Sequence, residues 1–364
     1  MKKRLCLFLA MLMAAITCLG CGRSLPGTGG EGKGTEEASK EDNTVVVYNY
    51  GDYIDEDLIA VFEEQTGIKV IYDVFETNEE MYPKIESGAI AYDVICAGEY
   101  TIAKMMAHDL LQPINYDNIP NIKNIGEQYL KMCEQYDPGN QYSVPYVFGT
   151  VGILYNTKEV TEPVTSWDIL WDEKYSGQIF MSKSIRDSFA VALIRAGYSI
   201  NSTDEAEITE AKNMLIEQKP LVQGYFVDQT RDKMIAEEGV LGVIYSGDYM
   251  EAKNDNEDLA YVVPEEGSNY WTDAWVIPAN AKHKANAEAW INFLCDAEVA
   301  AQNFDYLWYS TPNVAAQELI EEEYLNDPAI FPDEEILSRC EIMTYLEPEI
   351  ENLYNDAWTE VLSK

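Results

Sequence analysis

The sequence predicts an α/β protein with two lobes, each built on a sheet flanked by helices. The chain has 364 residues, which is enough for about two domains of ordinary size. Hydrophobic residues make up 47% of it, so packed cores can form. Strand-like apolar runs alternate with amphipathic helical segments, an order that is typical of parallel strands covered by helices.

Residues 1–20 predict a signal peptide. Met1-Lys2-Lys3-Arg4 is basic and the following run to Gly20 is apolar, as in secretory signals. Cys21 follows Gly20 as in a bacterial lipobox, so we expect Cys21 to be lipidated and to become the mature N-terminus. The alternative is an uncleaved anchor, since the apolar run approaches the ~20 residues that span a bilayer.

Residues 21–43 predict the lipidated cysteine followed by a flexible tether. This segment is rich in Gly, Ser and Glu and offers almost nothing to bury. Whether the signal peptide is cleaved before Cys21 or remains as a membrane anchor, the body faces out of the cell. We therefore expect an exported protein held on the outer face of the cytoplasmic membrane.

The charge excludes several function classes. Sixty-four acids against 25 bases give a formal net charge of -39, which argues against nucleic acid as a partner. The only histidines, His108 and His283, are far apart in the sequence. A His-rich metal site or a Ser/His/Asp triad is therefore not expected, and the sequence calls for no cofactor.

The first part of the body alternates strand and helix signals. The helix that begins near Thr77 should be short or kinked because it contains Pro83. The predicted elements are strand Thr44–Asn49, helix Asp55–Thr66 ended by Gly67, strand Ile68–Phe75, a helix opened by the capping box Thr77–Glu80, strand Asp93–Ala97 and a helix from about Thr101. This βαβαβ order implies parallel pairing.

The second part repeats the alternation less regularly. Its predicted elements are strand Thr150–Tyr155, a helix cap at Thr165–Asp168, strands Gln178–Met181 and Gly239–Tyr245, a helix over Lys284–Cys295 and acidic helices between Thr311 and Lys364. Four cysteines lie in the body: Cys96, Cys133, Cys295 and Cys340. None forms a C-x-x-C pair. Apolar surroundings favour buried thiols at Cys96 and Cys295, although the sequence leaves pairing open.

Tyr, Trp and Asp recur where the predicted strands end, which is where open parallel sheets bind ligands. The segments concerned are Tyr48–Tyr53, Gly98–Tyr100, Ser182–Asp187, Tyr245–Asp248 and Asn269–Trp275. Aromatic faces attract alkylammonium groups and contact methylene chains, while carboxylates hold the ammonium ends. The pattern fits an aliphatic polyamine. The alternative for each residue alone is packing, turn formation or helix capping.

Several longer motifs in this order resemble a known family, the spermidine/putrescine-binding proteins of bacterial ABC importers. This family has the type II periplasmic binding protein fold. The resemblance covers the body from about Val45 to the C-terminus. Its most specific segments are Tyr48–Tyr53, Thr66–Tyr72, Glu76–Met81, Ser143–Tyr146, Thr165–Asp168, Ala196–Ser199, Trp271–Asp273, Ile277–Ala281 and Ser310–Asn313.

The resemblance implies a ligand-binding set and no reaction. Its members are Tyr50, Asp52, Tyr53, Tyr100, Asp187, Tyr245, Asp248, Trp271, Asp273 and Tyr309. Asp187 and Asp273 would bind amines, and Tyr245 and Trp271 would enclose the methylene chain. Asp52 and Asp248 match acids of the putrescine-type members. Ser184 stands where some spermidine binders have an acid, and the sequence does not place the family's polar contact near the C-terminus, between Glu341 and Thr344.

The family fold also implies how the chain is divided. Lobe one would hold 44–147 and 274–318, and lobe two 148–273 and 319–364. Each lobe would have a mixed, mostly parallel sheet, and two crossovers between the lobes would form a hinge. Closure on the ligand would let a membrane permease recognise the loaded monomer.

Two other functions stay open. A protein of the same fold could bind a sugar, a peptide or another amine. A chain this rich in Asp and Glu could also be an extracellular glycoside hydrolase that uses paired carboxylates. The sequence does not decide which polyamine is preferred or which permease receives it.

Overall fold

The computed structural model describes residues 43–364. The predicted signal peptide, Cys21 and all of the predicted tether except Asn43 lie outside the described residues. Within the described part, no helix has both the length and the apolar character that a membrane crossing requires.

The described residues contain nine β-strands. They are β1 Thr44–Tyr50, β2 Lys69–Phe75, β3 Val94–Gly98, β4 Ser143–Asn156, β5 Ile179–Ser182, β6 Val222–Phe226, β7 Leu241–Tyr245, β8 Leu259–Val262 and β9 Tyr270–Val276. Their order in the sheet is β2-β1-β3-β9-β4-β7-β5-β6, and β8 pairs with β4.

Fourteen α-helices and five short 3-10 helices lie in the same part of the chain. The α-helices are α1 Asp57–Thr66, α2 Asn78–Ser87, α3 Glu99–Ala107, α4 Glu127–Cys133, α5 Ile185–Arg195, α6 Glu205–Gln218, α7 Gln229–Ile235, α8 Ser246–Asp255, α9 Lys284–Leu294, α10 Ala297–Leu307, α11 Val314–Gln317, α12 Glu322–Leu325, α13 Glu334–Ser338 and α14 Pro348–Ser363. The 3-10 helices are Tyr116–Asn118, Pro120–Asn124, Trp167–Trp171, Glu173–Tyr175 and Lys219–Leu221.

The predicted βαβαβ unit is confirmed. Strand β1 pairs in parallel with both β2 and β3. Helix α1 ends at Gly67, whose φ of 73° is left-handed and suits glycine. Thr77 caps α2 by accepting a hydrogen bond from the Glu80 amide at 3.3 Å. Helix α2 has ten residues and continues past Pro83 to Ser87.

The sheet is mixed, which confirms the predicted α/β class. Strand β5 pairs in parallel with β6 and β7. Among the described strands, every antiparallel pairing involves β4 or β9. These two strands therefore join one parallel group, β1 to β3, to the other, β5 to β7.

Strand β4 is much longer than predicted. It begins at Ser143 and runs through Pro145, where the register with β9 shifts before Val147. Residues 143–150 of β4 pair with β9, and residues 151–156 pair with β7 and β8. Sequence reasoning missed the first half of β4 because that half contains Pro145, and proline normally argues against a central strand.

Strand β1 packs against apolar clusters on both of its faces. Val45 and Val47 of β1 pack in one apolar cluster, while Tyr48 packs in another on the opposite face. This burial explains the continuous apolar run that identified the strand. Cys96 and Cys295 are buried free thiols, as expected, and Cys133 and Cys340 are free as well.

Candidate functional site

The structure brings nine of the ten predicted ligand-binding residues to one cleft. These nine are Tyr50, Asp52, Tyr53, Tyr100, Asp187, Tyr245, Trp271, Asp273 and Tyr309. The carboxyl ends of β1, β3, β5 and β7 lead into the cleft, as the strand-end rule predicts. Trp271 and Asp273 instead lie within β9, which sequence reasoning did not identify as a strand.

The tenth predicted residue, Asp248, does not line the cleft. It lies behind Tyr309, whose hydroxyl donates a hydrogen bond to Asp248 Oδ2 at 3.1 Å. Burial raises the pKa of Asp248 to about 7, and the negative charge of Asp228 adds to this shift while Arg231 opposes it. Asp248 therefore acts on the cleft through its neighbours.

Five aromatic rings form a continuous wall. The centroid distances in sequence around the wall are 5.2 Å for Tyr50–Tyr53, 5.5 Å for Tyr53–Tyr309, 5.2 Å for Tyr309–Trp271 and 5.8 Å for Trp271–Tyr245. Edge-to-face or tilted arrangements at these distances are the favoured geometry for aromatic pairs. Such a wall gives a rigid apolar surface that can follow a methylene chain.

Two glycines make room for this wall. A Cβ on Gly149 would lie 2.7 Å from Cζ2 of Trp271, and a Cβ on Gly247 would overlap the ring of Tyr309. Both rings thus pack directly against backbone. Because only glycine permits this approach, the position of the rings is fixed by the main chain.

Asp273 is a buried carboxylate in the middle of β9. The register places it opposite Gly98 of β3, and Tyr53 donates a hydrogen bond to its Oδ2 at 2.6 Å. Burial raises the pKa of Asp273 to about 7, although the hydrogen bond from Tyr53 opposes the shift. No ion pair within the described residues involves Asp273.

Asp187 is the second buried carboxylate, in the first turn of α5. Its backbone amide donates to Ser184 Oγ, the N-cap of that helix, at 3.3 Å. Its side chain accepts hydrogen bonds from Tyr245 Oη at 2.5 Å and Asn269 Nδ2 at 3.3 Å. Burial raises its pKa above the ordinary value. Asp187 and Asp273 thus share one arrangement, in which neutral hydrogen-bond donors orient the carboxylate.

Glu99 is a cleft residue that the predicted set omitted, although it directly follows β3. Its Oε2 accepts from the Thr272 amide at 3.3 Å, whereas its buried Oε1 has no hydrogen-bond partner in the described chain. Burial, together with the nearby charge of Asp273, raises the pKa of Glu99 to about 8. Glu99 lies in one of the segments predicted to follow a strand, Gly98–Tyr100. The resemblance, however, implied no ligand contact for it.

Arg231 is the second omission and the only base that lines the cleft among the described residues. It lies on α7, which follows β6, a strand that the sequence pattern did not reveal. Seven acids line the same cleft: Asp52, Glu76, Glu79, Glu99, Asp187, Asp228 and Asp273. This excess of carboxylates suits a cationic ligand.

The expected contact near the C-terminus falls on Met343, which lines the cleft. It lies within the predicted interval Glu341–Thr344. Its thioether is a weak acceptor and a flexible apolar group. The cleft wall is therefore apolar at Met343, whereas the resemblance suggested a polar contact in this interval.

A cleft lined by buried acids and aromatic rings, between two groups of parallel strands, defines a binding protein for a small solute. Comparison with known proteins agrees. Residues 57–332 match the family model of the bacterial extracellular solute-binding proteins. The chain belongs to this family.

Three relatives show which members of the family this chain resembles. The spermidine/putrescine-binding periplasmic protein of Escherichia coli is 36% identical over 322 residues, which cover 88% of this chain and 92% of the relative. A solved structure from Listeria monocytogenes is 37% identical with a TM-score of 0.85, covering 88% of this chain and 99% of its own. The substrate-binding protein of a spermidine/putrescine ABC transporter from Streptococcus pneumoniae is 39% identical with a TM-score of 0.76 and the same coverage.

The raised pKa values predict how the stability of the ligand-free protein depends on pH. Asp273 and Asp248 at about 7 and Glu99 at about 8 bind protons in the folded state that the unfolded chain has already lost. The free energy of unfolding should therefore fall as pH rises from 5 to 8. Each titrating group contributes up to about 1.4 kcal/mol per pH unit.

Urea unfolding at pH 5, 6, 7 and 8 measures this slope. Asp273→Asn should flatten it, because the amide does not titrate. The matched control is Asp117→Asn at an exposed position, which should leave the slope of the parent unchanged. Equal slopes for the parent and Asp273→Asn would contradict the assignment of a raised pKa to Asp273.

Proposed function

We propose that this protein is an extracellular solute-binding lipoprotein that captures a polyamine, spermidine or putrescine, and delivers it to the permease of an ABC transporter. The observation that carries the proposal is the set of buried carboxyl groups that form no ion pair within the described residues, Asp273, Asp187 and Glu99, beside a continuous aromatic wall. An alkylammonium ligand supplies both the missing charge and a chain that fits the wall.

The ligand contacts follow from this geometry. Ammonium groups would bind at Asp273 and Asp187, since both carboxylates are already oriented by neutral hydrogen-bond donors. The methylene chain would lie along Tyr245, Trp271 and Tyr309. The ammonium groups of the ligand, rather than protons, would then neutralise the buried carboxylates Asp273 and Asp187.

Two lobes with a hinge between them are part of the proposal. Lobe one comprises 44–147 and 274–318, and lobe two comprises 148–273 and 319–364. Two of the proposed boundaries fall inside β4 and β9, the strands that join the two parallel groups. Small dihedral changes along two adjacent strands would let the lobes close on the ligand.

The names of the relatives support a binding role without a reaction. The Escherichia coli relative is named for binding spermidine and putrescine, and the Streptococcus pneumoniae relative is named as the substrate-binding protein of an ABC transporter. We therefore favour transport over the glycoside hydrolase alternative. A monomer on the outer face of the cytoplasmic membrane, held through lipidated Cys21, fits this role.

The direct test is calorimetry with putrescine, spermidine, spermine and agmatine. At least one should bind with micromolar or tighter affinity, about -8 kcal/mol or better. 1,4-Butanediol matches putrescine in length but carries no charge, so it serves as the control and should not bind. Affinity should fall as salt rises, though less than at an open surface. Absence of heat and of a thermal shift with all four amines would reject the proposal.

Two substitutions separate charge from contact area. Asp273→Asn keeps the shape but removes a partner of a buried ammonium, which typically costs roughly 3–5 kcal/mol of binding. Trp271→Leu should cost less, about 1–2 kcal/mol, because it removes cation-π attraction without leaving a charge unpaired. Affinity with ligand and melting temperature without it are measured on both variants. Binding by Asp273→Asn within about twofold of the parent would remove the main anchor of the assignment.

The membrane anchor is tested separately. Cys21→Ala should release the protein from the membrane or leave an unprocessed precursor, since the lipid acceptor is missing. Detergent partitioning and gel mobility report both results. A variant that partitions and migrates as the parent does would favour an uncleaved helix instead.

A further inference from the structure

Arg231 holds a network of carboxylates at one side of the cleft. Its Nη1 lies 2.6 Å from Glu251 Oε2 and 3.5 Å from Asp248 Oδ1, and its Nη2 lies 3.7 Å from Asp52 Oδ2. The arginine side chain is only 14% exposed. A permanently charged guanidinium thus already supplies one positive charge to this part of the site.

The rest of the cleft differs in this respect. Asp273 and Asp187 accept hydrogen bonds from Tyr53, Tyr245 and Asn269, all neutral donors. One oxygen of Glu99 has no hydrogen-bond partner among the described residues. In one region of the cleft an arginine therefore pairs with the acids, whereas in the other no described residue forms an ion pair with Asp273, Asp187 or Glu99.

We infer that Arg231 is a specificity-determining residue whose guanidinium occupies, between Asp52 and Asp248, the place that a further ligand ammonium would take. It confines ligand ammonium groups to the region of Asp273 and Asp187. Arg231 thereby favours a short diamine over polyamines whose chains continue to a third or fourth amine. This inference rests on the proposed function and adds a rule for ligand length.

A simpler role for Arg231 is to tie the proposed lobes together through Asp52. That role predicts a different result. Loss of a tie weakens every ligand by the same factor, because closure is common to all of them. Loss of a built-in cation changes the ratio between long and short ligands, since only long ligands reach the vacated carboxylates.

The experiment measures putrescine, spermidine and spermine affinities by calorimetry for the parent and Arg231→Gln. The ratio of spermidine to putrescine affinity should rise at least tenfold in the variant, and the ratio for spermine should rise at least as much. Arg231→Lys keeps a cation and should hold the ratio within threefold of the parent. Lys233→Gln is the matched control, because Lys233 lies on the same helix as Arg231 and pairs with Glu238 at 2.7 Å, and neither residue lines the cleft. It should leave the ratio unchanged.

Arg231→Gln leaves the buried Asp248 charge unpaired and can lower stability. The double variant Arg231→Gln/Asp248→Asn avoids this and should melt close to the parent. It should still raise the ratio at least threefold, because Asp52 and Glu251 are vacated. Ratios within twofold of the parent in both variants, or an equal loss for all three ligands, would overturn the inference. If the parent binds none of the amines, the proposed function itself fails.

Discussion

The burial of carboxylates without counter-ions is the constraint on which the rest of this structure depends. Removing an ionised carboxyl from water is expensive unless a charge or a set of donors replaces the water. In the ligand-free cleft, neutral donors replace it only in part, and the pKa values of Asp273 and Glu99 rise accordingly. Protons or an external cation can relieve this cost, and an organic cation fits the aromatic wall.

The sheet supplies the precision that this constraint requires. Asp273 lies in the strand that pairs with both β3 and β4, so its position is fixed by ladders on two sides. Gly98 opposite it has no side chain, and a Cβ there would lie 3.4 Å from Asp273 Oδ1. Together with Gly149 and Gly247, this glycine lets charged and aromatic groups of the cleft pack against main chain. Rigid placement reduces the ordering that binding would otherwise require.

Sequence reasoning found the elements whose signal is local. Strand β1 is a continuous apolar run, and α1 has a glycine terminator. Strand β9 was not predicted, because Thr272 and Asp273 interrupt its apolar pattern and aspartate is rare in strands. Most of the cleft was predictable because strand ends converge in such sheets. Arg231 was not, since its meaning comes from acids at positions 52, 248 and 251, which only the fold brings together.

The ion pairs between the two proposed lobes would be too weak to hold them closed on their own. In the Lys183–Glu76 pair the lysine is exposed and the glutamate is half-buried, and Asp52 in the Arg231 pair is 51% exposed. Pairs of this kind contribute about 0–1 kcal/mol each and weaken with salt. A ligand whose ammonium groups neutralise Asp273 and Asp187 acts where water is scarce, so its effect on closure is larger. Because a ligand shifts a conformational equilibrium only by its differential affinity, the buried acids would make closure depend on the ligand's charge.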